Sequence, residues 1–319
     1  MKICFLGTSS GAPTRDRNVS AVAIIESQGS DWYLIDCGEG TQHQLLRTSL
    51  SVNSLKAIFI THIHGDHCYG LPGLLASAGM NGRTAPLTIV APRGIREWLE
   101  ATQRHTELFF PYEIKYEQVE DFTPKLIGKT RIDMAQLSHR VPSFAYSFTE
   151  TENTKRLDGA KLSALGVPKG PLWGQLQAGN DIEFQGNTIK SCDYLIVDNA
   201  PRKIVVCGDN DNPELLQELC KSSQVLVHES TYTQEMATKA GDVGHSYARQ
   251  VAEFAESANI DNLVLTHFSA RYQQDLTKSP NISDIENEAK TAYSRSLFLA
   301  QDFQVLTLDK RGVLHIEQD

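Results

Sequence analysis

The sequence predicts an α/β protein in which sheet is buried between layers of helix. Short β-prone runs recur along both halves, each closed by a glycine or polar turn, and helical stretches fall between them. At 319 residues the chain is also long enough to bury a sizeable core without disulfide staples.

Taken in order, residues 3–6, 19–25, 32–35 and 57–60 read as the first strands, rich in Ile, Val, Leu and aromatic residues. Residues 41–50 and 94–102 read as helices, and 87–90, 112–116, 132–137 and 144–148 as further strands. In the second half, 203–206, 225–227, 263–265 and 304–308 read as strands, and 213–220, 245–257 and 282–299 as helices. No 20–50-residue repeat and no low-complexity segment interrupts the mixture. Residues 151–190 break the pattern, being rich in Gly, Lys, Pro and polar residues. Between Lys155 and Ala178 they carry Lys155, Arg156, Lys161 and Lys169 against a single acidic residue, Asp158. The expectation is one domain over 1–319 with an inserted arm at about 151–190.

Composition excludes several classes. With 40% hydrophobic and 22% charged residues the chain is neither collagen-like nor largely disordered. No apolar run approaches the roughly 18 residues that span a bilayer. The stretch Ile3-Cys4-Phe5-Leu6 ends at Gly7, too soon for an export signal, so the expectation is no export and no membrane. Cys4, Cys37, Cys68, Cys192, Cys207 and Cys220 are scattered without a C-x-x-C pair, which reads as reduced thiols in the cytoplasm. A net charge of −9 argues against a generic nucleic-acid coat, though not against RNA binding through a local basic patch.

The sharpest chemical signal is Thr61-His62-Ile63-His64-Gly65-Asp66-His67, directly after the strand at 57–60. Three imidazoles and a carboxylate within six residues are costly to crowd unless a cation gathers them. His62 and His64 stand two apart, so extended backbone sends both side chains the same way. Gly65 permits a turn that returns Asp66 and His67 toward the same centre. Imidazole with carboxylate suits zinc, and also manganese or iron. A solvated charged loop is the plainer reading, but H-x-H-x-D-H is far more restrictive than a lone histidine. Distant partners stand at other strand ends: His139 after 132–137, Asp209 after 203–207, and His267 after 263–266. Each alone could be a satisfied core or capping residue. Together they obey one rule, a ligand-type residue at the C-terminal end of an apolar strand, where α/β sheets place active sites.

This set resembles the metallo-β-lactamase superfamily and, within it, tRNase Z (ribonuclease Z) in its short bacterial form, the endonucleases that trim the 3′ trailer from precursor tRNA. The resemblance runs nearly end to end. It implies an αββα sandwich of two βα halves with a two-metal site at the sheet edges, holding two Zn2+ per subunit, with Mn2+ or Fe2+ as alternatives. By position it implies His62, His64 and His139 on one metal, Asp66, His67 and His267 on the other, and Asp209 bridging them. Two such metals clamp a phosphate for in-line attack and offset the charge that builds on it. Asp66 is then also a partner for the attacking water. His228-Glu229-Ser230-Thr231 resembles the family's His-Glu-Ala-Thr box, and Gly244-His245-Ser246 its His-Ser-Thr box. They imply that Glu229 orients His245, which protonates the leaving ribose oxygen, while Ser246 caps a helix. The role of His228 stays open. Tyr247 and Asn210 stand where the family commonly has Thr. Asp36 is either a partner for a ligand imidazole or a strand-end turn residue. His43, His105 and His315 match nothing.

Three features point to RNA. Pro13-Thr14-Arg15-Asp16-Arg17-Asn18 resembles the family loop that senses the tRNA 3′ end, with Arg15, Arg17 and Asn18 as contacts. Val167-Pro168-Lys169-Gly170-Pro171-Leu172-Trp173-Gly174 resembles the arm that holds the tRNA elbow, with Lys169, Gly170 and Pro171 as contacts. Arg271, just after His267, is placed to bind a phosphate or to form a salt bridge. The resemblance implies precursor tRNA as substrate, a cut after the discriminator base, and a homodimer. The rivals are a 3′ exonuclease or phosphodiesterase of the same family, a small-molecule metallo-hydrolase, and a non-catalytic RNA-binding protein.

Overall fold

The computed structural model describes residues 1–151, 155–197 and 201–317. It divides into two compact units, one formed by Met1–Thr149 with Arg202–Asp319 and the other by Glu150–Pro201.

In the larger unit the described strands form two mixed sheets. The first contains β1 (Lys2–Gly7), β2 (Ala21–Ile25), β3 (Trp32–Ile35), β4 (Leu55–Phe59), β5 (Leu87–Ala91) and β6 (Ile114–Gln118). The second contains β7 (Lys125–Ile127), β8 (Thr130–Leu137), β9 (Ser143–Glu150), β14 (Lys203–Cys207), β15 (Val225–Glu229), β16 (Asn262–Thr266) and β17 (Ser296–Leu299). The chain then returns to the first sheet with β18 (Val305–Leu308) and β19 (Leu314–Ile316), giving the order β19-β18-β1-β2-β3-β4-β5-β6 against β17-β16-β15-β14-β9-β8-β7. β3 through β6 run parallel, as do β14 through β17, while β1, β2, β8 and β9 make antiparallel pairs.

Side-chain alternation builds the layers. On β1, Ile3 and Phe5 enter the core between the sheets, whereas Cys4 and Leu6 face helices. On β14, Ile204 and Val206 enter that same core, whereas Val205 and Cys207 face the opposite helices. Aromatic rings fill the middle, with Phe59 edge-on to Phe148 at 5.4 Å and 5.0 Å from Tyr146. The first sheet is covered by α1 (Thr41–Leu45), α2 (Gly65–Cys68), α3 (Leu71–Met80) and α4 (Ile95–Thr106). The second is covered by α8 (Ala248–Ser257) and α9 (Ile282–Lys290), with α7 (Ala237–Val243) preceding them. The result is the αββα sandwich.

The smaller unit has its own core of Leu162, Val167, Leu176, Ile182 and Ile189. It holds β10 (Lys155–Leu157) paired with β13 (Leu195–Val197), β11 (Ile182–Phe184) paired with β12 (Asn187–Ile189), and the helices α5 (Gly159–Ala164) and α6 (Pro171–Gln177). The compact unit runs from Glu150 to Pro201, since β13 returns to pair with β10. The Lys155 side chain lies outside the described residues.

Three expected elements differ. The expected helix over 282–299 stops at Lys290, and Ser296–Leu299 instead pairs in parallel with β16, so tertiary pairing overrides the helix propensity of Leu and Phe. The start of α9 is set by a capping box, Asn281 with Asp284. Within 213–220 only Pro213–Leu216 forms a short 3₁₀ turn. The expected helix from His245 begins at Ala248 after an extended Tyr247.

Candidate metal centre

Five strand ends deliver polar side chains to one point. His62, His64, Asp66 and His67 follow β4, His139 follows β8, Asp209 follows β14, Glu229 closes β15 and His267 follows β16. Backbone bonds tie these ends together: Phe144 N donates to Thr61 O, Gly208 N to Phe144 O, and the Tyr146 hydroxyl to Ile60 O.

The structure brings seven of the expected residues into two adjoining sets. In one, His62 Nε2 lies 3.1 Å and His139 Nε2 3.2 Å from His64 Nδ1, with Asp209 Oδ2 3.5 Å from His62 and 3.8 Å from His139. In the other, His67 Nε2 lies 3.2 Å from His267 Nε2, Asp66 Oδ2 lies 3.4 and 3.5 Å from these two nitrogens, and Asp209 Oδ1 lies 3.5 and 3.4 Å from them. A tetrahedral ion with bonds of about 2.0–2.2 Å sets its ligands about 3.3–3.6 Å apart. The donor separations of both sets, 3.1–3.8 Å, bracket that spacing, and each set uses a different oxygen of Asp209. Asp209 Oδ1 is buried with no hydrogen-bond partner among the described residues, as expected of an oxygen reserved for a cation.

Protonation agrees. Burial, helped by the nearby His67, pulls His62 well below the ordinary imidazole value. Burial alone would raise Asp209, but His267, His67 and His62 hold it well below the ordinary carboxylate value. Neutral imidazole and ionised carboxylate are the forms that bind metal. His67 goes the other way: burial opposes its charge, yet Asp209, Asp36 and Asp66 raise it well above its usual value. Positive charge is favoured where the second ion would sit.

In four of the five imidazoles the outer ring nitrogen is fixed by an acceptor, which selects the tautomer. His67 Nδ1 donates to Asp36 Oδ2 at 2.6 Å and His139 Nδ1 to the Gly244 carbonyl at 2.6 Å. His62 Nδ1 meets the Thr61 hydroxyl, which donates to Asp36. His267 Nδ1 meets the Thr231 hydroxyl, which donates to Glu229. Asp36 and His267 both hold left-handed backbone, φ 60° and 57°, an uncommon state that marks a constrained site. Gly244 has φ 75°, and a Cβ there would fall 2.7 Å from His139 Nδ1, so the carbonyl can approach that ring only from a glycine.

Behind this ring stands a second layer. Glu229 Oε1 accepts from His245 Nδ1 at 3.0 Å and from the backbone N–H of Ser246 and Asn210. Burial opposes charge on His245, but the Glu229 carboxylate overcomes it and raises the imidazole to about 9. Ser246 does not cap α8; its hydroxyl donates to the Asn210 carbonyl. His228 is buried, its Nδ1 on the Glu229 carbonyl and its Nε2 3.1 Å from the Asn210 amide nitrogen. Asn210 Oδ1 in turn accepts from the N–H of Ser138 and Asn212. Asn210 thus ties the segments of His139, Asp209 and Glu229, a role its sequence context did not signal.

The expected RNA contacts fare differently. Arg17 is 6% exposed, donates to the Thr8 hydroxyl and the Ala300 carbonyl at 2.6 Å, and lies 4.7 Å over the Phe268 ring. Asn18 donates from its side chain to the Glu39 carbonyl and from its backbone to Asp302. In this structure both are engaged by the fold, and the Arg17 guanidinium is buried. Arg15 is exposed. Arg271 is exposed over the Tyr232 ring and lines a separate cavity with Tyr272 and Glu288. In the smaller unit Lys169 stands over the Trp173 ring, and Gly170 and Pro171 are exposed at the start of α6. His43, His105 and His315 are exposed and remote in sequence from every ligand.

A family model described as the anti-Pycsar protein Apyc1 matches residues 1–108, about a third of the chain. A ribonuclease Z of Pseudomonas putida strain W619 is 53% identical over 315 residues, covering 98% of both chains. A ribonuclease Z of Marinobacter nauticus is 48% identical, covering 99% of this chain and 98% of its own. Among solved structures, the short form of human tRNase Z matches with a TM-score of 0.67 at 25% identity, covering 97% of this chain and all of its own. With the sandwich and its strand-end cluster already in place, identity of this extent over the full length means that the chain belongs to the ribonuclease Z family.

Proposed function

We propose that this chain is an endoribonuclease that removes the 3′ trailer of precursor tRNA by two-metal hydrolysis, cutting after the discriminator base. The observation that carries the reading is the pair of ligand sets sharing Asp209, in a chain of this family. Zinc is the assigned metal, with manganese or iron as alternatives, because the donors are imidazole nitrogen and carboxylate oxygen. Bound there, two divalent ions would polarise the scissile phosphoryl group, acidify the attacking water and offset developing charge.

The protein's own groups do the rest. Asp66 is held by a 2.8 Å hydrogen bond from Gly11 N–H and reaches the cavity, where it orients the attacking water. His245, fixed through Nδ1 on Glu229, presents Nε2 to the leaving ribose oxygen and donates its proton. Arg15 and Arg271 read as rim contacts to the RNA, and Lys169, Gly170 and Pro171 as contacts of the arm to the tRNA body. Exposed Leu46, Tyr69, Met80 and Phe109, on or beside the helices of the first sheet, offer apolar surface for a homodimer. Free cysteines support a cytoplasmic setting, and no described helix is long and apolar enough to cross a membrane.

The test uses two end-labelled precursors, identical except for an encoded CCA, with and without a chelator. The expected outcome is one chelator-sensitive cut beside the discriminator base of the CCA-less precursor. Stepwise shortening of both would establish the exonuclease instead. Hydrolysis of bis-p-nitrophenyl phosphate without cleavage of either precursor would keep the chemistry and overturn the substrate.

A further inference from the structure

The cavity above the cluster is lined in part by a basic residue that the proposed machinery does not use. This space of about 340 Å³ is lined by His64, Asp66, His139, Asp209 and His245, and also by Arg140. Arg140 is exposed, and no ion pair or hydrogen bond engages its guanidinium among the described residues. Its backbone is set in place. The neighbouring His139 is bonded to the Gly244 carbonyl, and a Cβ on Gly244 would come within 3.2 Å of Arg140 N. The segment bearing His245 therefore packs directly against the segment bearing Arg140.

Arg140 differs from the arginines expected to meet phosphate, of which Arg15 lines a different cavity. Arg17 is buried and bonded, and Arg271 opens on another cavity. Arg140 alone among them shares the space with the metal ligands. We propose that Arg140 binds a non-bridging oxygen of the scissile phosphate, from the side of the His62, His64 and His139 set. This rests on reading the centre as a phosphodiesterase. A guanidinium is permanently charged and its planar fork matches two phosphate oxygens. In phosphoryl transfer, charge spreads over the equatorial oxygens, where a preplaced cation stabilises the transition state more than the ground state. In a chain of net charge −9, a polyanion also needs a local cation at the point of entry.

The experiment compares metal-loaded wild type, Arg140→Ala and Arg140→Lys on bis-p-nitrophenyl phosphate and on the CCA-less precursor. Metal content and the calorimetric Kd of inorganic phosphate are measured beside the rates. Arg140→Ala should lower kcat/KM about 10²-fold on both substrates and weaken phosphate binding about tenfold, with metal content unchanged. Arg140→Lys should recover part of each loss, because it restores charge without the fork. The small diester separates this proposal from the tRNA reading: if wild type hydrolyses it but cuts no precursor, the tRNA reading falls and the Arg140 effect is still measured. A loss on the precursor alone overturns the assignment to the scissile phosphate. Unchanged kcat/KM and phosphate Kd in Arg140→Ala overturn the proposal altogether. Should Arg140→Ala lose metal, Arg140→Gln at full metal content is held to the same criteria.

Discussion

The loops at 61–67 and 13–18 both concentrate ionisable residues beside the end of a strand, yet they direct them oppositely. In the first, His62, His64, Asp66 and His67 converge on a shared centre with partners from the other sheet. In the second, Arg17 turns into the protein beneath Phe268 while Arg15 stays in solvent. Chelating residues at tight spacing admit few arrangements, since a shared cation is what offsets their crowding. An arginine is compatible with packing, ion pairing or phosphate binding, and its type alone does not choose among them.

Substitutions sharpen this contrast. Asp209→Ala removes the residue common to both ligand sets. It should lower kcat on any phosphodiester by about 10³-fold or more and strip both metals by elemental analysis; a variant retaining a tenth of its activity would break the assignment. His245→Ala should cost about 10²–10⁴-fold on RNA. It should cost far less on bis-p-nitrophenyl phosphate, whose phenolate leaves without a proton, and equal losses would remove His245 from the acid role. Arg17→Ala should lower unfolding stability by about 2–4 kcal/mol in denaturant titration, because it unpairs the Thr8 hydroxyl and Ala300 carbonyl and uncovers Phe268. In metal-free protein, His245 should stay protonated through neutral pH and lose its proton near 9 by NMR titration. With Glu229→Gln the larger raising charge is gone while burial and the charge of Asp209 remain, so that titration should fall well below 9. Arg15→Ala should change stability by no more than about 0.5 kcal/mol while weakening RNA binding in a salt-dependent way, the reverse of Arg17→Ala.

The convergence of the ligand-type residues was legible because each pairs a restrictive residue type with a strand end, and the strands themselves were legible from their apolar runs. What surrounds the ligands was less so. Asp36 read equally as a turn residue, since only folding shows His67 Nδ1 lying 2.6 Å from it. Asn210 read as a departure from the family pattern, whereas its carboxamide joins three segments more than 70 residues apart in part. Arg140 looked like any surface arginine, because no spacing records which side chains share a cavity. The strand at Ser296–Leu299 was hidden by residues equally fit for a helix, and its pairing with β16 is a long-range fact.

The centre draws its ligands from both sheets, and this bears on biosynthesis. The stretch from His62 to His267 is roughly 200 residues, so at about 5–20 residues per second a ribosome needs some 10–40 s to supply the last ligand after the first. Through that interval the histidine loop exists without its partners, and the emerging chain has metal-seeking groups but no finished active site. On the proposed assignment the first set is complete once Asp209 has emerged and the second only with His267, so the two-metal centre is the last part of the site to be finished.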